Sequence, residues 1–213
     1  MNILIIAAHS DDEVLGMGAT ISKISKKNRV ELIVTTESAT SQYEDPKMIK
    51  VRHDACLRSA KILGIKNVNF LNYPDNQLDT IPQLEINKKI EKIIQKFKPK
   101  YVYTTPGHDL NKDHRQVFDS TIIASRPGSS SVEAIFSYEL PGFIKTPFKP
   151  NIFENIEKDF PKKLAALKEY KTEIMKFPHP RSLESIKNLA TYRGIQSGLK
   201  QAEAFELVHK IIS

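Results

Sequence analysis

The stretch "IIAAHSDDEVLG", Ile5 to Gly16, runs from an apolar segment straight into a histidine and three acids. Asn2 to Ala7 is short and nearly all apolar, the pattern of a strand buried on both faces of a parallel sheet. Val14 to Lys27 follows as a helix, with Val14, Met17, Ile21 and Ile24 at helical spacing, and Val30 to Thr35 reads as a second strand. A β-α-β opening of this kind predicts a right-handed crossover within a parallel sheet. Acids as close as Asp11, Asp12 and Glu13 repel one another, so their place at the exit of the first strand calls for positive charge between them.

The same alternation continues. Pro46 begins a helix that ends at Gly64, and Asn67 to Leu71 is a third strand followed by the loop "NYPDNQLDT". Pro82 to Phe97 is a helix stopped ahead of Pro99, and Tyr101 to Thr105 is a fourth strand that leads into "PGHDLNKDH". Val132 to Tyr138 is a further strand. From about Asp159 onward the pattern reads as helical, broken near "FPHPRS" and Gly194. The expected fold is one Rossmann-like α/β domain over residues 1–213: a mostly parallel sheet flanked by helices, with a helical C-terminal part.

Composition narrows the function. With 40% hydrophobic and 27% charged residues in 213, the chain has the make-up of an ordinary globular protein. It holds no run of 18 apolar residues, so no membrane span is expected. The N-terminus lacks a basic cluster ahead of an apolar stretch, and Cys56 is the only cysteine; both fit a cytoplasmic protein. The net charge of +7 comes mostly from lysines in scattered pairs such as Lys26–Lys27 and Lys162–Lys163, which read as helix surface and not as a nucleic-acid stripe. The few arginines suit an anionic small substrate better.

In open α/β sheets ligands bind beyond the carboxyl ends of the strands. His9 and Asp12, three residues apart, can reach one metal ion there, and His114 from the loop after strand four can supply a third ligand. Two histidines and a carboxylate leave a position open for water, as in catalytic zinc sites, with Asp11 free to act as base. The plainer reading is that the acids cap a helix and complement its dipole. His108 is a weaker ligand candidate, and His53 and His179 read as non-ligands. Arg181 and Arg193 can each meet a phosphate or carboxylate or pair on a helix surface.

The stretch "AAHSDDEVLGMGATI" resembles the opening motif of the LmbE-like, PIG-L type zinc-dependent N-acetylglucosaminyl deacetylases. "RHDACLRSAKILGI", "YPDNQL" and "HDLNKDHRQV" extend the resemblance through most of the chain, and "PRSLESIKNLATYRG" with "AEAFEL" matches a bacterial branch. The resemblance implies zinc on His9, Asp12 and His114, with Asp11 as general base. It also implies an orienting role for Asp113 and substrate contacts from Arg52 and Asp75. The implied reaction hydrolyses an N-acetyl group on an amino sugar.

Three positions depart from the family pattern. Asn111 stands where many relatives carry a histidine that protonates the leaving amine; it is kept here as a substrate contact, and Asp11 or His108 would move the proton. Asp109 replaces a tyrosine that steadies the oxyanion in some relatives. Ser10 replaces proline, which should loosen the loop. The expected function is therefore a deacetylase of an N-acetylated amino sugar or its conjugate, an anionic or nucleotide-linked one included, holding Zn2+ or else Fe2+ or Co2+, and homo-oligomeric as relatives often are. The rival readings are a zinc amidohydrolase acting on another N-acyl compound and a non-catalytic sugar- or nucleotide-binding module. A dinucleotide-binding fold is disfavoured because no G-x-G-x-x-G follows the first strand.

Overall fold

A computed structural model describes residues 1–142 and 146–212. Its centre is β1 (Asn2–Ala7), which pairs in parallel with β2 (Arg29–Thr36) on one side and β4 (Tyr101–Thr104) on the other. Alternate residues of β1 enter two separate cores. Ile3, Ile5 and Ala7 pack with α1 (Asp12–Ile24) and α2 (Lys47–Leu63), while Leu4 and Ile6 pack with α3 (Gln83–Phe97) and α4 (Lys112–Ala124). Burial on both faces is what its uniformly apolar sequence predicts.

The seven-stranded sheet has the order β3-β2-β1-β4-β5-β7-β6, with β3 at Asn67–Tyr73, β5 at Ala134–Tyr138, β6 at Ile152–Asn155 and β7 at Ala202–Lys210. After β1 the chain winds outward through β2 and β3, then returns to β1's other edge as β4. The crevice at the carboxyl ends of β1 and β4 is thus the topological switch point, where open α/β sheets place their ligands.

The C-terminal part corrects one expectation. Helices α5 (Phe160–Leu167) and α6 (Leu183–Ser197) form, but Ala202–Lys210 is not helical: it inserts antiparallel between β5 and β6. Gly194 does not break α6 either, which runs on to a left-handed Gly198. Pairing on both edges decides the state of β7 against its alanine and glutamate content. Helix α4 and strand β6 are further elements that the hydrophobic pattern did not announce.

Helix α1 is interrupted at Met17, whose backbone (φ −142°, ψ 25°) leaves the helical region. The freed backbone groups are taken up by one buried ion pair. Lys163 of α5 donates to Leu15 O (2.8 Å), and the Glu203 carboxylate of β7 accepts from Ala19 N (3.0 Å) and Thr20 N (2.7 Å). Lys163 and Glu203 also meet each other at 2.6 Å. Gly16 sits where a Cβ would lie 2.4 Å from the Tyr138 ring, so only glycine lets α1 approach β5 this closely. Together these contacts fix the direction of the first turn of α1, which carries the acids.

Removing one partner of a buried pair leaves the other charge uncompensated. Glu203→Ala should therefore lower unfolding free energy by about 3–5 kcal/mol, read by urea denaturation. A loss under about 1 kcal/mol, the scale of a surface pair, would show that the pair does not hold the break.

Candidate metal centre

The acids that open α1 point in different directions. Asp12 Oδ2 turns back to accept from Ala8 N (3.1 Å) and His9 N (2.8 Å), which fixes its carboxylate over the end of β1. Asp12 Oδ1 faces His114 Nε2 at 3.4 Å. His114 lies in the first turn of α4, and Thr105, just after β4, holds its carbonyl at 2.8 Å. His9 Nδ1 lies 3.2 Å from His114 Nε2 and 3.5 Å from Asp12 Oδ2. One atom from each of His9, Asp12 and His114 lies within 4.8 Å of the others, and all three residues are buried.

The outer nitrogens of both rings face carboxylates. His9 Nε2 meets Asp113 Oδ2 and Asp75 Oδ1, each at 3.2 Å, and His114 Nδ1 lies 2.9 Å from Asp109 Oδ2. With the outer nitrogens protonated toward these acids, both inner nitrogens present lone pairs to the same point beside Asp12. Two lone pairs 3.2 Å apart repel unless a cation or proton lies between them. Burial alone would push both imidazoles toward the neutral form, but Asp12 and the flanking acids outweigh it, raising His9 well above its usual range and His114 to about 9. Burial likewise opposes ionisation of Asp12, yet His114 and His9 hold its carboxyl well below the usual value. The arrangement selects positive charge, and its donor set of two imidazoles and a carboxylate fits a divalent metal with acids orienting the ligands.

Asp11 has different partners. Both of its oxygens are buried and accept no hydrogen bond from the protein. Countercharge comes from two arginines: Arg181 Nη1 at 3.3 Å and Arg52 Nη2 at 3.6 Å. Both arginines also pair with the buried Glu173. Burial works against the Arg52 charge, but Asp11 and Glu173 more than offset it. Glu13 turns into the core. Burial pushes its carboxyl up to about 8 despite a hydrogen bond from Tyr170 Oη at 2.9 Å, so it stays protonated at neutral pH. The crowded acids thus share little space.

The remaining residues singled out in the sequence are placed as follows. Asp113 accepts from Asn76 N (2.8 Å) and Leu78 N (3.0 Å) while touching His9, so it ties the loop after β3 to that ring. Asp75 lies against His9 as well, and its other oxygen accepts from Ser41 Oγ. Arg52 is 3% exposed and lies between the carboxylates of Asp11 and Glu173. Asn111 caps α4, its Oδ1 accepting from Asp113 N at 2.8 Å. Arg193 lies apart from the cluster, bonded to both oxygens of Glu139. Ser10 does not loosen its loop: its N–H, which proline would lack, donates to Ser38 Oγ at 2.9 Å.

A cavity of about 390 Å³ opens over Asp12 and His114, with Asp109, Asn111, His179 and Arg181 also in its wall. His108 lines a neighbouring cavity instead. Sequence reasoning did not find Glu173 or the part played by Arg181. Arg181 meets Asp11 from the far end of the chain and Glu173 meets Arg52 across more than half of it, and no local periodicity reports such pairs.

Residues 4–125 match the sequence pattern of PIG-L, described as GlcNAc-PI de-N-acetylase. The chain is 32% identical over 182 residues to the uncharacterized deacetylase YaiS of Escherichia coli K12, covering 80% of this chain and 90% of that protein. It is 26% identical to the diacetylchitobiose deacetylase of Thermococcus kodakarensis, covering 97% and 82%. The N,N'-diacetylchitobiose deacetylase of Pyrococcus horikoshii shares the fold, with a TM-score of 0.82, 24% identity, and coverage of 98% of this chain and 84% of that one.

If Asp113 orients His9, then Asp113→Asn should weaken metal binding about 10- to 100-fold, the usual effect of losing an acid behind a ligand histidine. Competition with a chromophoric chelator reads this directly. Wild-type affinity in the variant would show that His9 is oriented without it.

Proposed function

The chain belongs to the PIG-L family of de-N-acetylases, and we propose that it hydrolyses the N-acetyl group of an amino sugar or its conjugate, with zinc on His9, Asp12 and His114 and Asp11 as base. The family is metal-dependent. The observation that carries the assignment of residues is the division of the site: two inner imidazole nitrogens converge on Asp12, while the carboxylate of Asp11, the preceding residue, is buried and free of protein hydrogen bonds. Similarity to diacetylchitobiose deacetylase supports an amino-sugar substrate.

When bound, zinc polarises the acetyl carbonyl and acidifies water toward neutrality. The protein supplies the rest. Asp11, free of other hydrogen bonds, accepts the proton of the attacking water, and Arg52 and Arg181 stabilise its charge and fix its position. Asp113 and Asp75 hold the His9 ring, and Asp109 faces that of His114. Arg181 is engaged by Asp11 and Glu173, and Arg193 by Glu139. A neutral sugar therefore fits this site better than the anionic or nucleotide-linked one expected from the arginines. This reading includes a cytoplasmic homo-oligomer, to be sized by light scattering. Among the described residues no helix is long and apolar enough to cross a membrane.

Acetate release from N-acetylglucosamine and diacetylchitobiose tests the proposal. The protein should purify with zinc, lose turnover on chelation and regain it when zinc is restored. Activity that survives complete metal removal would end this reading. Asp11→Asn should keep zinc but lose at least about a hundredfold in kcat, the lower end of general-base effects. A variant near the wild-type rate would remove Asp11 from the role of base.

A further inference from the structure

Hydrolysis of an amide drives negative charge onto the acetyl oxygen, and an enzyme gains most from a donor already aimed at that charge. Asp11 and Asp12 lie deep in the site and are acceptors. Among the described side chains that line the cavity, those able to donate a hydrogen bond are Asn111, His114, His179 and Arg181. Three are engaged. Asn111 Nδ2 donates to Asn76 Oδ1 at 3.1 Å, His114 turns Nε2 to Asp12 and Nδ1 to Asp109, and Arg181 is held by Asp11 and Glu173 through Nη1.

His179 stands exposed at the cavity wall, and its Nε2 enters none of its hydrogen bonds. Its backbone N–H donates to Lys176 O at 3.0 Å, and its carbonyl accepts from Ser182 N at 2.9 Å, so two successive turns hold the residue at the cavity wall. Its ring Nδ1 accepts from the backbone N–H of Arg181 at 3.1 Å. An acceptor at Nδ1 carries no hydrogen, which leaves the neutral ring with its hydrogen on Nε2. The same Arg181 supplies the amide that sets this tautomer and the guanidinium that faces Asp11, linking donor and base through one residue.

We propose that His179 is a further catalytic residue, its neutral Nε2–H donating a hydrogen bond to the acetyl oxygen as that oxygen becomes negative. The inference rests on the deacetylase reading. As the water oxygen bonds to the acetyl carbon, Asp11 takes the water proton and the carbonyl π pair moves onto the acetyl oxygen, where Nε2–H meets it without giving up its proton. The pair returns as the C–N bond breaks, and the proton held by Asp11 passes to the departing nitrogen. The products are the free amine and acetate with its proton. No histidine at position 111 is needed.

The test pairs kinetics with binding on the zinc-loaded protein. Loss of one such donor costs about 10²–10³ in kcat. His179→Ala should show that loss with KM little changed, unchanged zinc content and unchanged thermal unfolding. It should weaken a methylphosphonamide analogue of N-acetylglucosamine, whose tetrahedral oxygens imitate the charged state, by the same factor as kcat/KM, and leave glucosamine binding as it was. His179→Gln, which retains an N–H donor, should recover part of both. In the wild type, 15N shifts of the ring should show Nδ1 as the bare nitrogen. Wild-type kcat in His179→Ala would overturn the inference, as would lost kcat with full analogue affinity, which would mark a proton donor to the amine. A wild type that releases no acetate from any amino sugar fails the deacetylase reading itself. A wild type that deacetylates while both variants match it fails this inference alone.

Discussion

The burial of Asp11, Asp12, Asp75 and Asp113 around one crevice is the constraint on which the rest of this site depends. Carboxylates taken out of water must be paired, hydrogen-bonded or protonated. The fold uses all three solutions within a few residues. Asp12 and Asp113 receive backbone N–H groups and imidazoles, Asp11 receives guanidiniums, and Glu13 keeps its proton. Apart from the Ala8 and His9 amides that meet Asp12, and the His9 ring, the partners arrive from α2, α4, the loop after β3 and the segment before α6. The sheet order makes this possible, because the switch between β1 and β4 brings the first and fourth loops to the same edge.

That arrangement needs α1 to leave β1 in a fixed direction, and the interrupted helix provides it. A continuous helix would satisfy its own backbone and could slide along its contacts. The break at Met17 instead hands Leu15 O to Lys163 and two amides to Glu203, so α1 is keyed to α5 and β7 at a single register. The late antiparallel insertion of β7 into the sheet therefore bears on the site formed by the first strand. Gly16 against Tyr138 keys the same segment to β5. A buried ion pair adds little net stability over an apolar replacement, but it specifies geometry here by giving three backbone groups, Leu15 O, Ala19 N and Thr20 N, directional partners.

Much of the fold was legible because β1 to β4 are apolar runs bounded by turn residues, and because Gly64 and Pro99 mark helix ends without ambiguity. The inner cluster was legible for a similar reason: His9 and Asp12 follow a strand, and His114 follows another strand that the alternation places beside it. Helix α4 was not, since Thr121 and Ser120 are buried on it, Thr121 meeting Thr104 at 3.0 Å, and these polar residues interrupt the apolar spacing. Strand β7 was missed because Ala202 to Glu206 carries helix-forming residues whose state is decided by two neighbouring strands. Arg193 and Arg181 look alike in sequence. Only the fold gives one of them Glu139 and the other Asp11.

Asp11 and Asp12 show why identical neighbours can do different chemistry. The chain turns between them, so Asp12 looks toward lone pairs and Asp11 toward guanidiniums. A carboxylate between two imidazole lone pairs is drawn into metal ligation. One that faces arginines is held back from it, because moving toward the metal would strand Arg52 and Arg181 beside Glu173 alone, two buried cations against one acid. On the proposed reading the arginines would keep Asp11 out of the coordination sphere of a metal held by His9, Asp12 and His114. The Asp11 oxygens are buried and unbonded by protein donors. On this view the arginine pair and Glu173 separate base from ligand, and that separation lets a crowded run of acids serve a hydrolytic site.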